Sequence, residues 1–437
     1  MEATSTVPPR RALWACVVLA AVVRVTYWIT KFGDPLLLND SWYYSDQARR
    51  LTEGVWFREM FADQPGAEHG PLTSLLMWPF SYSDDYQTTQ RLVTVITGIL
   101  LVWVLGRFAE DLAGRTAGVA AALIGALYPN LWMNDGLVMS ESISMLFVAL
   151  TLWAAWRTVS TTDVNRFMRN SFLLGIVAGL AVLARSEVAL LVPFLFAWLV
   201  IARRRAALPW RPALVAVTAV VLVVSPWVLF NLSRFDRPVL LTTNDGTTIL
   251  GANCDLVYGG EALGGWDVGC VLKDEAYNPY EEPSVRSARQ RQLGLQYMKD
   301  HITEVPLVVL ARVGRTLDLY GFSSHLHQDT GEERPAGAVW AGIVCFWLLA
   351  VLSCFGARLL RRRDRWLLFL PMVVTLITTV LFYGAHRIRS SAEPSLVLFS
   401  AVAVAAWWER RRDRLDGPAH DDEEPAADGQ LAVEAAG

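Results

Sequence analysis

The chain has 437 residues, 53% of them hydrophobic and only 19% charged, with a positive mean hydropathy. Water-soluble domains carry about a quarter charged residues and no long apolar runs, so a soluble multidomain protein is excluded. The formal net charge of −3 excludes little, because the charges are segregated by side.

Apolar runs of ~16–22 residues recur along the whole chain, and spanning a bilayer takes ~20. In chain order they predict ten spans: 12–30, 90–107, 116–133, 140–156, 170–185, 187–202, 212–230, 336–356, 366–384 and 394–408. The first follows "PPRRALW" and has no small-residue cleavage site behind it, so it reads as a retained span and not a signal peptide. Lys and Arg collect in short cytoplasmic loops. The basic segments "PPRR", "RFAEDLAGR", "RTVSTTDVNRFMR", "RRRAALPWR", "RLLRRRDR" and "ERRRDRLDG" all fall on one side if both termini are cytoplasmic. The 18 Trp residues fit membrane interfaces.

The expected organisation follows from this. A cytoplasmic N-terminus (1–11) leads into seven spans (12–230) that enclose a large first outer loop (31–89). An outer region (231–335) with an interfacial helix comes next, then three C-terminal spans (336–408) and a disordered cytoplasmic tail (409–437). The fold class is an all-α polytopic membrane protein of about ten transmembrane helices, with a small mixed outer region. The cytoplasmic loops are too short for a nucleotide-binding domain, no phosphate-cradling Gly-rich motif is present, and nothing points to nucleic acid. The expected place is the plasma or inner cell membrane, with the bulk of the loops extracytoplasmic.

In the outer region, "GANCDLVYGGEALGGWDVGC" holds Cys254 and Cys270, which an oxidising face predicts as a disulfide; two free thiols are the alternative. "EVPLVVLARVGRTLDLYGF" is amphipathic and too polar to span, so it is expected to lie along the interface, with Arg312 and Arg315 able to meet a phosphate or bulk anionic lipid. His325 and His327 have the spacing of a metal pair but no further clear ligands nearby.

Chemistry on the outer face has no access to ATP or nucleotide sugars. A donor must arrive in the membrane, and lipid-linked phosphate sugars meet that need. Such a reaction needs a carboxylate to take the acceptor proton and cations to hold the phosphate. "NDSWYYSDQARRLTEG", directly after the first span, places Asp40, Tyr43 and Tyr44 there.

That segment resembles the first outer loop of the GT-C glycosyltransferases, in the group of family 39, the aminoarabinose transferases and the protein O-mannosyltransferases. Asp40 takes the aspartate position, Tyr43 or Tyr44 the aromatic, and Ala48 and Gly54 the helix that follows. Ser41 stands where many relatives have Glu, which weakens a two-carboxylate metal site. "EHGPLTSLL" places His69 and Pro71 where relatives have Lys or His before Pro. "LYPNLWMNDGLVMSESISMLFVALTLWAAW" places Glu141, "GLAVLARSEVALLVPFL" places Arg185 and Glu187, and "HRIRSSAEPSLVLFSAVAV" places Arg387, Arg389, Glu393 and Pro394. The matches keep their order over most of residues 12–408, all facing one side.

The resemblance implies an inverting transfer of a mannose- or arabinose-type sugar from a polyprenyl-phosphate donor to a glycan, lipid or protein acceptor. Asp40 is the expected general base, a helix N-cap being the alternative. Glu141 supports it or orients the acceptor, with Asp135 a weaker case. Arg387, Arg389, Arg185 and His69 are the expected donor-phosphate ligands, against snorkelling to lipid headgroups or a local Arg185–Glu187 ion pair. Tyr43, Tyr44 and Trp266 are expected to contact sugar or acceptor, with "TTNDGTTILGANC" and Tyr258 completing an acceptor platform. The residues single out no certain cofactor, and a divalent metal is left open without being indicated; membrane lipids are the remaining partners. Two rival classes stand beside the enzyme. A transporter or flippase of a lipid-linked glycan would place ionisable residues mid-bilayer, where the proposed spans have almost none. A non-catalytic envelope assembly protein would not need these residues to converge on one cavity.

Overall fold

The structure is a computed structural model that describes residues 10–37, 40–206, 211–273 and 278–416. Fourteen helices carry the architecture. They are α1 (Arg10–Ile29), α2 (Asp40–Thr52), α3 (Tyr86–Ala113), α4 (Arg115–Leu127), α5 (Glu141–Ser160), α6 (Val164–Ala184), α7 (Leu191–Ala206), α8 (Arg211–Leu232), α9 (Asn244–Gly251), α10 (Pro283–Asp300), α11 (Val305–Thr316), α12 (Ala336–Leu359), α13 (Arg362–Leu381) and α14 (Glu393–Asp416). Eight are long and apolar enough to cross a membrane, and the shorter apolar helices 115–127 and 186–202 complete a set of ten that matches the ten expected spans one for one. This is a multi-pass membrane protein.

Local chemistry sets the ends of these helices. The Asp85 carboxylate accepts from Thr88 N at the start of α3, and Gly114 ends that helix at a φ of 90°. Asp163 accepts from Asn165 N and Arg166 N to open α6. The third span stops at Leu127, six residues short of the expected 133. Tyr128 is extended before Pro129, because a residue preceding proline is pushed out of the helical region.

The bundle has a centre and a periphery. The apolar window of the last span is 83% buried, whereas that of 213–232 is 17% buried, so α14 is the axis and α8 faces lipid. α12 closes on α14 at Gly356, where any Cβ would collide with the Phe399 carbonyl oxygen. Ser353 Oγ donates to Leu396 O at 3.1 Å in the same contact. Small residues allow this approach in a medium that gives apolar side chains no reason to cluster.

The spans are not free of charge. Arg24, deep in α1, is fully buried and pairs with Asp135 at 2.6 Å, while its other nitrogens donate to Gly125 O at 3.0 Å and Ala126 O at 3.3 Å. Arg91 in α3 is equally buried and pairs with Glu333 at 2.8 Å. Both lie near the same end of the bundle and tie membrane helices to the outer segments.

That end is capped by α2, the 55–85 loop and α9–α11. Among the described residues there is no strand, and the isolated bridge Arg58–Pro65 is the nearest thing to one. The outer region is therefore helices and turns, where a mixed region was expected. Cys254 and Cys270 are joined as a disulfide. α11 exposes Leu307 and Leu310 but buries Arg312 and Arg315. Arg312 donates to Ala252 O at 2.8 Å and Asn253 Oδ1 at 3.0 Å, and Arg315 to Leu263 O at 2.7 Å. Both guanidiniums are thus spent on the fold and do not reach outward to phosphate.

Removing one partner of a buried ion pair leaves the other charge uncompensated, at a cost of about 3–5 kcal/mol. Asp135→Ala should therefore lower the detergent unfolding midpoint strongly, and an unchanged midpoint would show that the Arg24 carbonyl bonds suffice.

Candidate active site

The membrane helices deliver polar residues to the capped end at their termini. Asp40 is the first residue of α2, Glu141 the first of α5, and Arg185 the extended residue that ends α6. Arg387 sits in the 3₁₀ turn His386–Ala392 that leads into α14. Each is placed by the same rule: polar side chains collect where an apolar helix runs out.

Their geometry is dominated by Arg387. Its Nη2 donates to Asp40 Oδ2 at 2.6 Å, its Nη1 to Glu332 Oε1 at 2.6 Å and its Nε to Glu141 Oε1 at 3.1 Å. Glu141 is fully buried and also accepts from Arg185 Nη1 at 2.8 Å. Arg185 pairs in turn with Glu187. Glu332 bonds Arg334, whose Nη1 reaches Asp329 at 3.1 Å and whose Nε and Nη2 hold Asn134 Oδ1 at 3.1 and 3.0 Å. Alternating signs run unbroken from Glu187 to Asp329.

Asp40 faces a cavity of about 330 Å³ that is also lined by Tyr44, Glu68, His69, Arg185, Tyr383 and Arg387, with Asn244, Asp245 and Thr248 of α9 on one wall. The Asp40 side chain is 28% exposed, and His69 Nε2 lies 3.5 Å from its Oδ1. Burial pushes the Asp40 carboxyl up, but Arg387 and His69 outweigh it and hold the group well below the usual carboxylate range. Burial also works against the His69 imidazolium, yet Asp40 and Glu68 raise it above its ordinary value. Glu68 has no protein partner among the described residues. Burial first, then the charges of Glu59 and Asp40 against the pull of His69, hold its carboxyl above the ordinary range.

Asp40, His69, Arg185, Arg387 and Tyr44 thus line one cavity, with Glu141 packed directly behind the two arginines. Three expected site residues lie elsewhere. Arg389 is buried on the far side of its turn, donating to Thr316 O and Glu393 Oε1 at 2.7 Å each and pairing with Asp318 at 2.8 Å, so it is not available to a donor phosphate. Tyr43 is buried with its ring 5.2 Å from the His69 ring, which it props from behind. Trp266 packs on Gly251 and donates to Thr247 O at 3.3 Å, fastening the disulfide loop to α9. The "TTNDGTT" segment does reach the cavity, but Tyr258 bonds Asn253 in the outer core. Asp135, tied to Arg24, belongs to the fold.

Glu68, Tyr383, Glu332 and Arg334 were missed in the sequence. A signal existed for the last two: "GEERP" puts acids and an arginine directly before a span at the outer end. A divalent metal does not fit here. The Asp40 oxygens are engaged by Arg387 and His69, the three carboxylates that converge here surround the Arg387 guanidinium, and among the described residues no group of three or more His, Cys, Asp or Glu is arranged to hold a metal ion.

The His69–Asp40 contact carries a pH signature. A group whose pKa is raised by folding contributes stability that is complete below its unfolded value, here about 6.5, and that disappears as pH climbs through the folded value. The unfolding midpoint should fall across that window in the native chain. His69→Gln should abolish the step, and a step that persists would place the titrating group elsewhere.

Residues 68–230 match the family model described as dolichyl-phosphate-mannose-protein mannosyltransferase, a stretch that contains His69, Glu141 and Arg185. No curated protein matches the sequence. Among solved structures, the Archaeoglobus fulgidus oligosaccharyltransferase in complex with zinc and sulfate aligns at a TM-score of 0.60 and 15% identity, over 92% of this chain and 50% of that one. The same organism's oligosaccharyltransferase AglB, in complex with an inhibitory peptide and dolichol-phosphate, aligns at 0.56 and 16%, over 93% and 52%. ArnT from Cupriavidus metallidurans bound to undecaprenyl phosphate aligns at 0.47 and 14%, over 92% and 79%. The chain spans about half the length of the oligosaccharyltransferases it matches. The fold is similar to that of these oligosaccharyltransferases, and residues 68–230 match a mannosyltransferase family of the kind that the sequence motifs resemble.

Proposed function

We propose that the protein transfers a sugar from a polyprenyl-phosphate donor to an acceptor hydroxyl on the extracytoplasmic face, with Asp40 as general base. The observation that carries this reading is the convergence of a half-open carboxylate, two arginines and a histidine on one cavity at one end of the bundle, the end that the distribution of basic loops assigns to the outer face. A scaffold has no use for that convergence. A transporter would place its charges near mid-membrane.

Arg387, Arg185 and His69 offer hydrogen-bond donors for a phosphate, the chemistry expected of a polyprenyl-phosphate site. Arg387 is shared among three carboxylates, and its charge beside Asp40 makes that carboxylate a weak base. A donor phosphate competing for Arg387 draws off that positive charge, so Asp40 becomes more basic when the donor is in place. The acceptor oxygen then bonds to the anomeric carbon while its proton passes to Asp40. The anomeric C–O bond breaks, and its electron pair leaves with the polyprenyl phosphate, whose charge the cations hold. A single displacement inverts the anomeric carbon. Tyr44 and the α9 wall line the same cavity and would contact the sugar or the acceptor; a mannose-type sugar accords with the matched family's description, and an arabinose-type sugar is the alternative.

The test is a transfer assay with purified protein, labelled polyprenyl-phosphate sugars and a membrane extract as acceptor source. Asp40→Asn should reduce turnover by about 10²–10⁴-fold, the usual worth of a positioned base, and should lower the unfolding midpoint because Arg387 and His69 lose a charged partner, while the chain stays folded at the assay temperature. An unimpaired variant would sink Asp40 as the base, and an inactive native chain with every donor would favour transport or assembly.

A further inference from the structure

At the opposite end of the bundle from Asp40, a cleft of about 960 Å³ opens between α12 and α14. It is lined by the apolar side chains of Leu352, Phe355 and Val404 and, toward the ends of the two helices, by Arg358, Arg410, Arg411 and Arg414. From Glu393, beside the candidate active site, to Arg410 is ~26 Å along the helix at 1.5 Å per residue, close to the thickness of a hydrocarbon core. Trp366, Trp407 and Trp408 are exposed at the same level, as tryptophans are at a membrane interface. The cleft lies just past the close contact at Gly356 and Phe399, where the two helix backbones touch.

Among the described residues, the arginines at its mouth lack the carboxylate partners that some other arginines at this end have. Elsewhere at this end Arg107 pairs with Glu110, Arg157 with Asp111 and Arg363 with Asp364. Arg358, Arg410 and Arg414 have no ion pair or hydrogen bond with a described residue, and Arg411 only lies over the Trp407 ring, 5.4 Å from its centroid. Arg410 and Arg414 stand four residues apart on one helix face, a like-charge spacing that costs stability unless an anion sits between them.

We infer that this cleft binds an anionic glycerophospholipid, with its phosphodiester between Arg358, Arg410 and Arg414 and an acyl chain along Leu352, Phe355 and Val404. Basic pockets between membrane helices are suited to such headgroups. The site is separate from the proposed donor site, which lies at the other end of α14, and the inference does not depend on the transferase reading.

The test uses the full chain in neutral detergent, titrated with phosphatidylglycerol, phosphatidylcholine or inorganic phosphate, with the unfolding temperature as readout. Phosphatidylglycerol should raise it and the other two should not. Arg410→Gln with Arg414→Gln should require roughly 30-fold more phosphatidylglycerol for the same rise, as expected for two surface arginines acting on an anionic headgroup. Both side chains are exposed and have no partner among the described residues, so the variant should fold. An equal response to phosphatidylcholine, a response to phosphate alone, or an unaltered titration in the double variant would overturn the inference.

Discussion

One guanidinium holds the functional end of this protein together. Arg387 binds Asp40, Glu141 and Glu332, which come from the first outer loop, the start of a central span and the last outer segment. A cation in a half-buried place needs compensation, and three carboxylates around one arginine would repel each other without it. Arg185 on one flank and Arg334 on the other meet part of the surplus negative charge, and each arrives from a different segment, so the arrangement forms only when every segment is docked. The outer cap and the membrane bundle therefore depend on one electrostatic arrangement.

The same arrangement sets the chemistry available. Asp40 alone among the three carboxylates opens to the cavity substantially, while Glu141 is sealed behind the arginines and Glu332 is nearly so. Buried carboxylates fix the arginines in position, and the exposed one is left to meet a substrate. Tyr43 and Tyr44 pack their rings against His69 and hold its imidazole near Asp40. A second buried group, with Asp318 paired to Arg389 and facing His386 and His325, anchors the other face of the same 3₁₀ turn and so steadies Arg387 from behind.

Much of the site was legible because helix ends are legible. Asp40, Glu141 and Arg185 sit where apolar periodicity stops, and positive-inside counting puts all of those stops at one end. What misled was adjacency. Arg387 and Arg389 look equivalent in "HRIRSS", but a 3₁₀ turn advances about 120° per residue, so residues two apart point in different directions. Tyr43 and Tyr44 differ by about 100° on α2, enough to bury one ring and give the other to the cavity. Trp266 reads as a sugar platform in a Gly-rich loop, yet the disulfide and Gly251 draw it into the outer core.

The sequence by itself determined the membrane class, the ten apolar helices, the gathering of basic residues at one end and the candidate aspartate, because hydropathy and charge act locally and need no partner to be read. The tertiary structure alone decided which charges meet. Arg24 finds Asp135 across 111 positions and Arg387 finds Asp40 across 347, and burial makes such pairs obligatory without any local pattern that announces them. Which arginine faces a substrate, which braces the fold and which stays unpaired at the far end are properties of packing, since each depends on the carboxylate that the folded chain brings within reach.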